Sequence, residues 1–140
     1  MATWDDVRRL SMALPEATEA DAHGHSGRPA WKVKDKTFAW ERPLRKSDLE
    51  ALGPDAPTGE ILGVRVEHEI AKQALIESEP NVYFTTPHFD GYPSVLVRLE
   101  TIGDEALEEL LVDAWLSRAP KRLASAYLQS APPWKQCTDQ

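Results

Sequence analysis

Cysteine is nearly absent from this 140-residue chain. Its one thiol, Cys137, lies ten residues or fewer from the end of the sequence, so no internal disulfide can form and thiolate zinc clusters are excluded. With no base fixed beside it, Cys137 is also a poor nucleophile. Long apolar runs are missing too: none approaches the ~20 residues that span a bilayer. The start, Met1-Ala-Thr-Trp-Asp-Asp, turns acidic at once and lacks the basic-then-apolar order of a signal peptide. A cytoplasmic monomer without a membrane partner is therefore expected. Reaction motifs are equally scarce. There is no Gly-x-Ser-x-Gly elbow, no phosphate-cradling loop and no His-Glu-x-x-His. Glu67-His68-Glu69 has the look of an acid–base cluster, but it reads equally as a helix start with acids at the favourable end. The sequence names no catalytic residue, and no cofactor or metal is expected.

What the chain does have is a segregated charge. The net value is −7, yet residues 28–46 sum to +5 while residues 47–118 sum to −11. A basic island sits on an acidic body. Eleven prolines and seven glycines are spread along the chain and leave no disordered tract. The length suits one compact domain over 1–130, with an extended tail at 131–140 that carries Pro132-Pro133-Trp134.

Thr3 and Asp6 are placed to form a capping box at the start of a first helix, with Val7, Leu10 and Leu14 as its apolar stripe and Pro15 at its end. The polar stretch 16–27 has room for a short strand. Trp31 to Trp40 alternates as a hairpin; an Asp35-Lys36 turn would put Trp31, Val33, Phe38 and Trp40 on one face and Lys32 and Lys34 on the other. A helical turn is expected at 46–52, a strand at 61–66, and a helix at 67–78 burying Ile70, Ala71, Ala74 and Leu75. Strands at 82–84 and 94–99 flank the Pro87–Pro93 loop. The clearest helix is 104–118, with Leu107, Leu110, Leu111, Ala114 and Trp115 at helical spacing, followed by another over 121–129. Short strand-to-strand connections favour an antiparallel sheet with helices on one face, an α+β two-layer domain.

Several of these segments together resemble the MmcQ/YjbR-like family of small bacterial proteins. They are Pro29-Ala-Trp-Lys-Val33, Lys36-Thr-Phe-Ala-Trp40, Phe84-Thr-Thr-Pro-His88-Phe89, Gly91-Tyr-Pro-Ser-Val-Leu-Val-Arg-Leu99, and Ala114-Trp115 with Ala119-Pro-Lys121. The resemblance implies a secretion-chaperone-like fold of order α-β3-α-β2-α. It also implies two hairpins resembling a double wing, for which members are often labelled DNA-binding. It implies no catalytic residues.

Three constellations could carry function. The first is the island itself: Arg28, Lys32, Lys34, Lys36, Arg42, Arg45 and Lys46, which would reach duplex phosphates from one hairpin. Its structural alternative is that edge hairpins carry lysines to deter strand pairing. The second is His88, Tyr92 and Arg98 around the Pro87–Pro93 loop, a possible small-molecule or protein-partner site. There Arg98, among apolar residues, calls for a partner, most simply a carboxylate. The third is Asp21, His23 and His25, whose alternation could clasp a divalent metal but lacks further ligands. The leading expectation is a non-enzymatic domain binding nucleic acid through the hairpin; the alternative is a binding module built on the His88–Tyr92 loop.

Overall fold

The computed structural model describes residues 2–21, 29–42, 44, 46–55, 59–86, 89 and 91–130. Helix α1 (Trp4–Met12) begins at the expected capping box. The Asp6 amide donates to the Thr3 hydroxyl at 3.3 Å, and the Thr3 amide donates to the Asp6 carboxylate at 3.0 Å. That backbone bond, with help from the Thr3 hydroxyl and Arg9, holds the Asp6 carboxyl below its ordinary value.

Strands β1 (Ala17–Asp21), β2 (Pro29–Val33) and β3 (Lys36–Glu41) follow, then helix α2 (Lys46–Leu52) with a 3-10 turn at Gly53–Asp55. Strand β4 (Ile61–Arg65), helix α3 (Glu69–Ser78), and strands β5 (Tyr83–Phe84) and β6 (Ser94–Arg98) complete the sheet. Helices α4 (Asp104–Arg118) and α5 (Lys121–Ser130) close the order. All pairings are antiparallel, and the six strands lie in the order β1-β2-β3-β4-β6-β5. The α+β expectation holds, and the strand allowed for in 16–27 is the outer edge β1.

The hairpin differs from its expected register. Lys34 and Asp35, not Asp35 and Lys36, form the turn, with φ of +50° and +69°, and Val33 pairs with Lys36. Two central residues at positive φ match the right-handed twist of the flanking strands, which outweighs the local cost of left-handed backbone. Further along, the register shifts so that Trp31 faces Ala39 while Lys32 faces Thr37, leaving Phe38 as a bulge. The extra residue changes the parity of the strand. Trp31, Val33 and Phe38 stay in the core, but Trp40 emerges on the opposite face. There it crosses Gly63, its partner in β4, so closely that a Cβ at Gly63 would lie 2.5 Å from the indole.

The core lies between the sheet and α1 and α4. Trp31, Phe38, Leu62, Val64, Val95 and Val97 are fully buried, and Leu107, Leu111 and Trp115 of α4 pack on them. Each of these side chains contributes about 1.5–3 kcal/mol on leaving water. Polar atoms of the large aromatics are satisfied: Trp31 Nε1 donates to Glu19 at 3.1 Å, and Trp115 Nε1 donates to the Pro15 carbonyl at 3.0 Å. Trp4 stacks on Trp31, and Tyr127 of α5 leans on Trp115 at 5.1 Å. The second face carries a smaller cluster, Ile61, Phe84 and Leu96 with Leu44, Leu52 and Phe89.

Helix α3 departs from its expected stripe. Ile70 is 78% exposed and Ala74 is exposed, whereas Lys72 is buried beside half-buried Ala71, Leu75 and Ile76. His68 is the N-cap, its Nδ1 accepting the Ala71 amide at 3.1 Å, and Lys72 sets the inward face by reaching a neighbouring loop. Among the described residues, no helix is long and apolar enough to cross a membrane.

Candidate functional site

The basic island is only partly available. Arg28 and Arg45 lie outside the described residues. Arg42 is buried: it donates to Asp48 at 3.0 Å, and its guanidinium lies 5.2 Å from the centre of the Phe89 ring. Lys34 pairs with Glu16. Lys32 is half-buried on the side of β2 away from the core, while Lys36 and Lys46 are exposed; none of these three has a partner among the described residues. Of the five island cations among the described residues, three therefore remain for an outside anion.

The Pro87–Pro93 loop is tied down from beneath. Lys72 Nζ donates to the carbonyls of Phe89 at 2.7 Å and Tyr92 at 3.1 Å, with Glu69 at 3.8 Å. Sequence gave a weak signal for this, a lone lysine inside an otherwise acidic helix. Tyr92 is 60% exposed two residues before β6, and Arg98 is the last residue of that strand, so the two are not brought together. Arg98 has the Phe84 ring at 5.1 Å in place of the expected carboxylate, and its buried Nε has no partner. The ring face attracts the guanidinium without the desolvation of a second ion. His88, His23 and His25 lie outside the described residues, and no metal-ligating cluster occurs among those described.

A cavity of about 1030 Å³ opens elsewhere, between α3, α4 and α5. Its floor is the end of β4 and the start of β5, at Arg65, Val66 and Tyr83. Leu75 of α3, Leu110 and Leu116 of α4, and Leu128 of α5 supply apolar wall. Glu67, Glu109, Asp113 and Lys121 also line it. Burial, with Glu79 and Glu109 nearby, pushes the Tyr83 phenol above its ordinary value, so the group is a neutral hydrogen-bonding hydroxyl. Burial, and next the neighbouring Arg118 cation, pull Arg65 below the usual arginine value. Sequence reasoning missed this place because its walls come from segments fifty residues apart, each reading as an ordinary amphipathic helix.

A model of the YjbR family matches residues 12–117, which spans the whole sheet and α4. The chain belongs to the YjbR family. Among curated relatives, the uncharacterised proteins Rv2570 of Mycobacterium tuberculosis and Mb2600 of Mycobacterium bovis are each 55% identical over 134 residues, covering 94% of this chain and 99% of theirs. The crystal structure of Deinococcus radiodurans protein DR2400, with a DUF419 family domain, superposes with a TM-score of 0.61 at 20% identity, covering 98% of this chain and 87% of that one. The last likeness is one of fold. The sheet is antiparallel as expected, with six strands where the order α-β3-α-β2-α names five, the sixth being β1.

Proposed function

We propose that this YjbR domain is a binding module whose ligand occupies the cleft between α3, α4 and α5. The observation that carries this reading is the cavity itself. Its volume of about 1030 Å³ is at the upper end for small-molecule sites, and it combines an apolar wall with a few convergent polar groups. The cleft is tested with the neutral apolar dye N-phenyl-1-naphthylamine and amide chemical-shift mapping. Dye fluorescence should rise, the shifts should fall on α3, α4 and α5, and Ala74→Trp, which fills the cleft, should abolish both. Dye binding indifferent to Ala74→Trp would refute the reading.

A second reading, nucleic-acid binding by the β2–β3 hairpin, is favoured by the absence of partners for Lys32, Lys36 and Lys46 among the described residues. Three phosphate contacts give a log–log salt slope of about −2.7. Fluorescence anisotropy with a short duplex should show that slope, and charge reversal at all three lysines should remove it. Salt-insensitive binding, or none, disposes of the hairpin. The acidic stretch 47–118 opposes a polyanion, which is why the cleft is preferred. The loop of His88, Tyr92 and Arg98 gains no support, because Tyr92 precedes β6 and Arg98 is at its far end.

A further inference from the structure

The cleft has cations in and beside its lining that form no ion pair among the described residues. Arg65 lines the floor, and Lys121 lies on the lip contributed by the first turn of α5. Arg118 sits between the lining residues Ser117 and Ala119, and its Nε is buried with no hydrogen-bond partner. Among the described residues, none of the three forms an ion pair, and the charge that acts on Arg65 is the like charge of Arg118. Like charges that act on each other repel, and a buried donor without a partner has lost its hydrogen bond to water. Both costs vanish when a carboxylate or phosphate is placed between them, since each guanidinium is a fork matched to such oxygens.

The acids nearby do not serve this purpose. Glu67 is solvated, with His68 at 4.0 Å, and Glu109 acts on the Tyr83 phenol. Asp113 engages a group other than these cations. The same lining has an apolar wall, at Leu75, Leu110 and Leu128.

We propose that the cleft takes an anionic amphiphile, with its carboxylate or phosphate between Arg65, Arg118 and Lys121 and its apolar body along Leu75, Leu110 and Leu128. This rests on the cleft being the binding site and adds the class of its ligand. The three cations fix the orientation of the ligand, and the neutral Tyr83 hydroxyl in the lining is available to a polar group on its body.

The test is a head-group series with one tail: decanoate, decyl phosphate, decanol and decylammonium below their aggregation concentrations, followed by calorimetry and amide chemical-shift mapping. The anionic probes should bind at least tenfold tighter than decanol, and decylammonium weakest of all. Arg65→Gln and Arg118→Gln should each weaken decanoate and decyl phosphate at least fivefold while leaving decanol unchanged. Should either variant fail to fold, the series on the unaltered protein decides alone. Decanol binding in the cleft as tightly as decanoate and decyl phosphate overturns the anionic head and leaves the cleft standing. No probe shifting the α3, α4 and α5 signals overturns both.

Discussion

Arg42 shows how far a formal charge can be from a usable one. Its side chain and that of Asp48 are 6% and 3% exposed, so the two charges left water together, and each has further contacts besides the other. Removing one partner takes a buried hydrogen bond and an opposite charge away from the other. Asp48→Ala is expected to cost about 3 kcal/mol in denaturant unfolding, whereas the double replacement Arg42→Met with Asp48→Leu should cost clearly less. Tyr83 supplies the second prediction at this scale. Its phenol keeps its proton above the ordinary tyrosine value of 10.0, because burial and two nearby glutamates disfavour the anion. The unfolded phenol ionises first as pH rises. The contribution of Tyr83 to stability is therefore complete below pH 10 and is lost as pH climbs from there through the folded value. Tyr83→Phe should flatten the alkaline limb of the unfolding midpoint against pH. An unchanged limb would place the phenol in ordinary solvent.

At the scale of elements, legibility in the sequence tracked how local the determinants were. The limits of α2 and α4 were read correctly because each is fixed by its own spacing and flanking residues. The five residues expected inside α4 are all buried. The hairpin turn and the face of Trp40 were misread because both depend on a bulge at Phe38, a non-local compromise between strand twist and core filling. Gly63 is the counterpart of that bulge, giving the displaced Trp40 a flat surface. Gly63→Ala should destabilise the protein by about 1–3 kcal/mol, and it should be nearly neutral in a Trp40→Ala background. The inward turn of Lys72 was likewise invisible, since its acceptors are carbonyls some twenty residues downstream. Lys72→Met keeps the stem and removes the donors. A loss of about 2 kcal/mol is expected, with faster amide exchange at Ser94 and its neighbours in the tethered loop.

For the molecule as a whole, composition spoke to the fold class and stayed silent about the ligand. The antiparallel sheet and its helical cover follow from periodicity in nearly every segment. The candidate site does not, because it exists only where α3, α4 and α5 meet. The charge map was informative in outline and misleading in detail. Of the five described cations within residues 28–46, three are free, while the unpaired arginines that matter to the cleft belong to the acidic stretch.

The bond from Trp115 to the Pro15 carbonyl spans a hundred residues, and Ala2 donates to Leu99 at 2.9 Å. Helix α1 packs on β1, β2 and α4, and α4 completes its cover. On the ribosome, the cover over Val7, Trp31 and Phe38 is therefore expected to be complete only after residue 115 has emerged. A nascent chain stalled with its last exposed residue near 110 should be cut rapidly by a dilute protease, and one released past 125 should resist. Early protection of the stalled chain would show that the sheet can close without its helical lid.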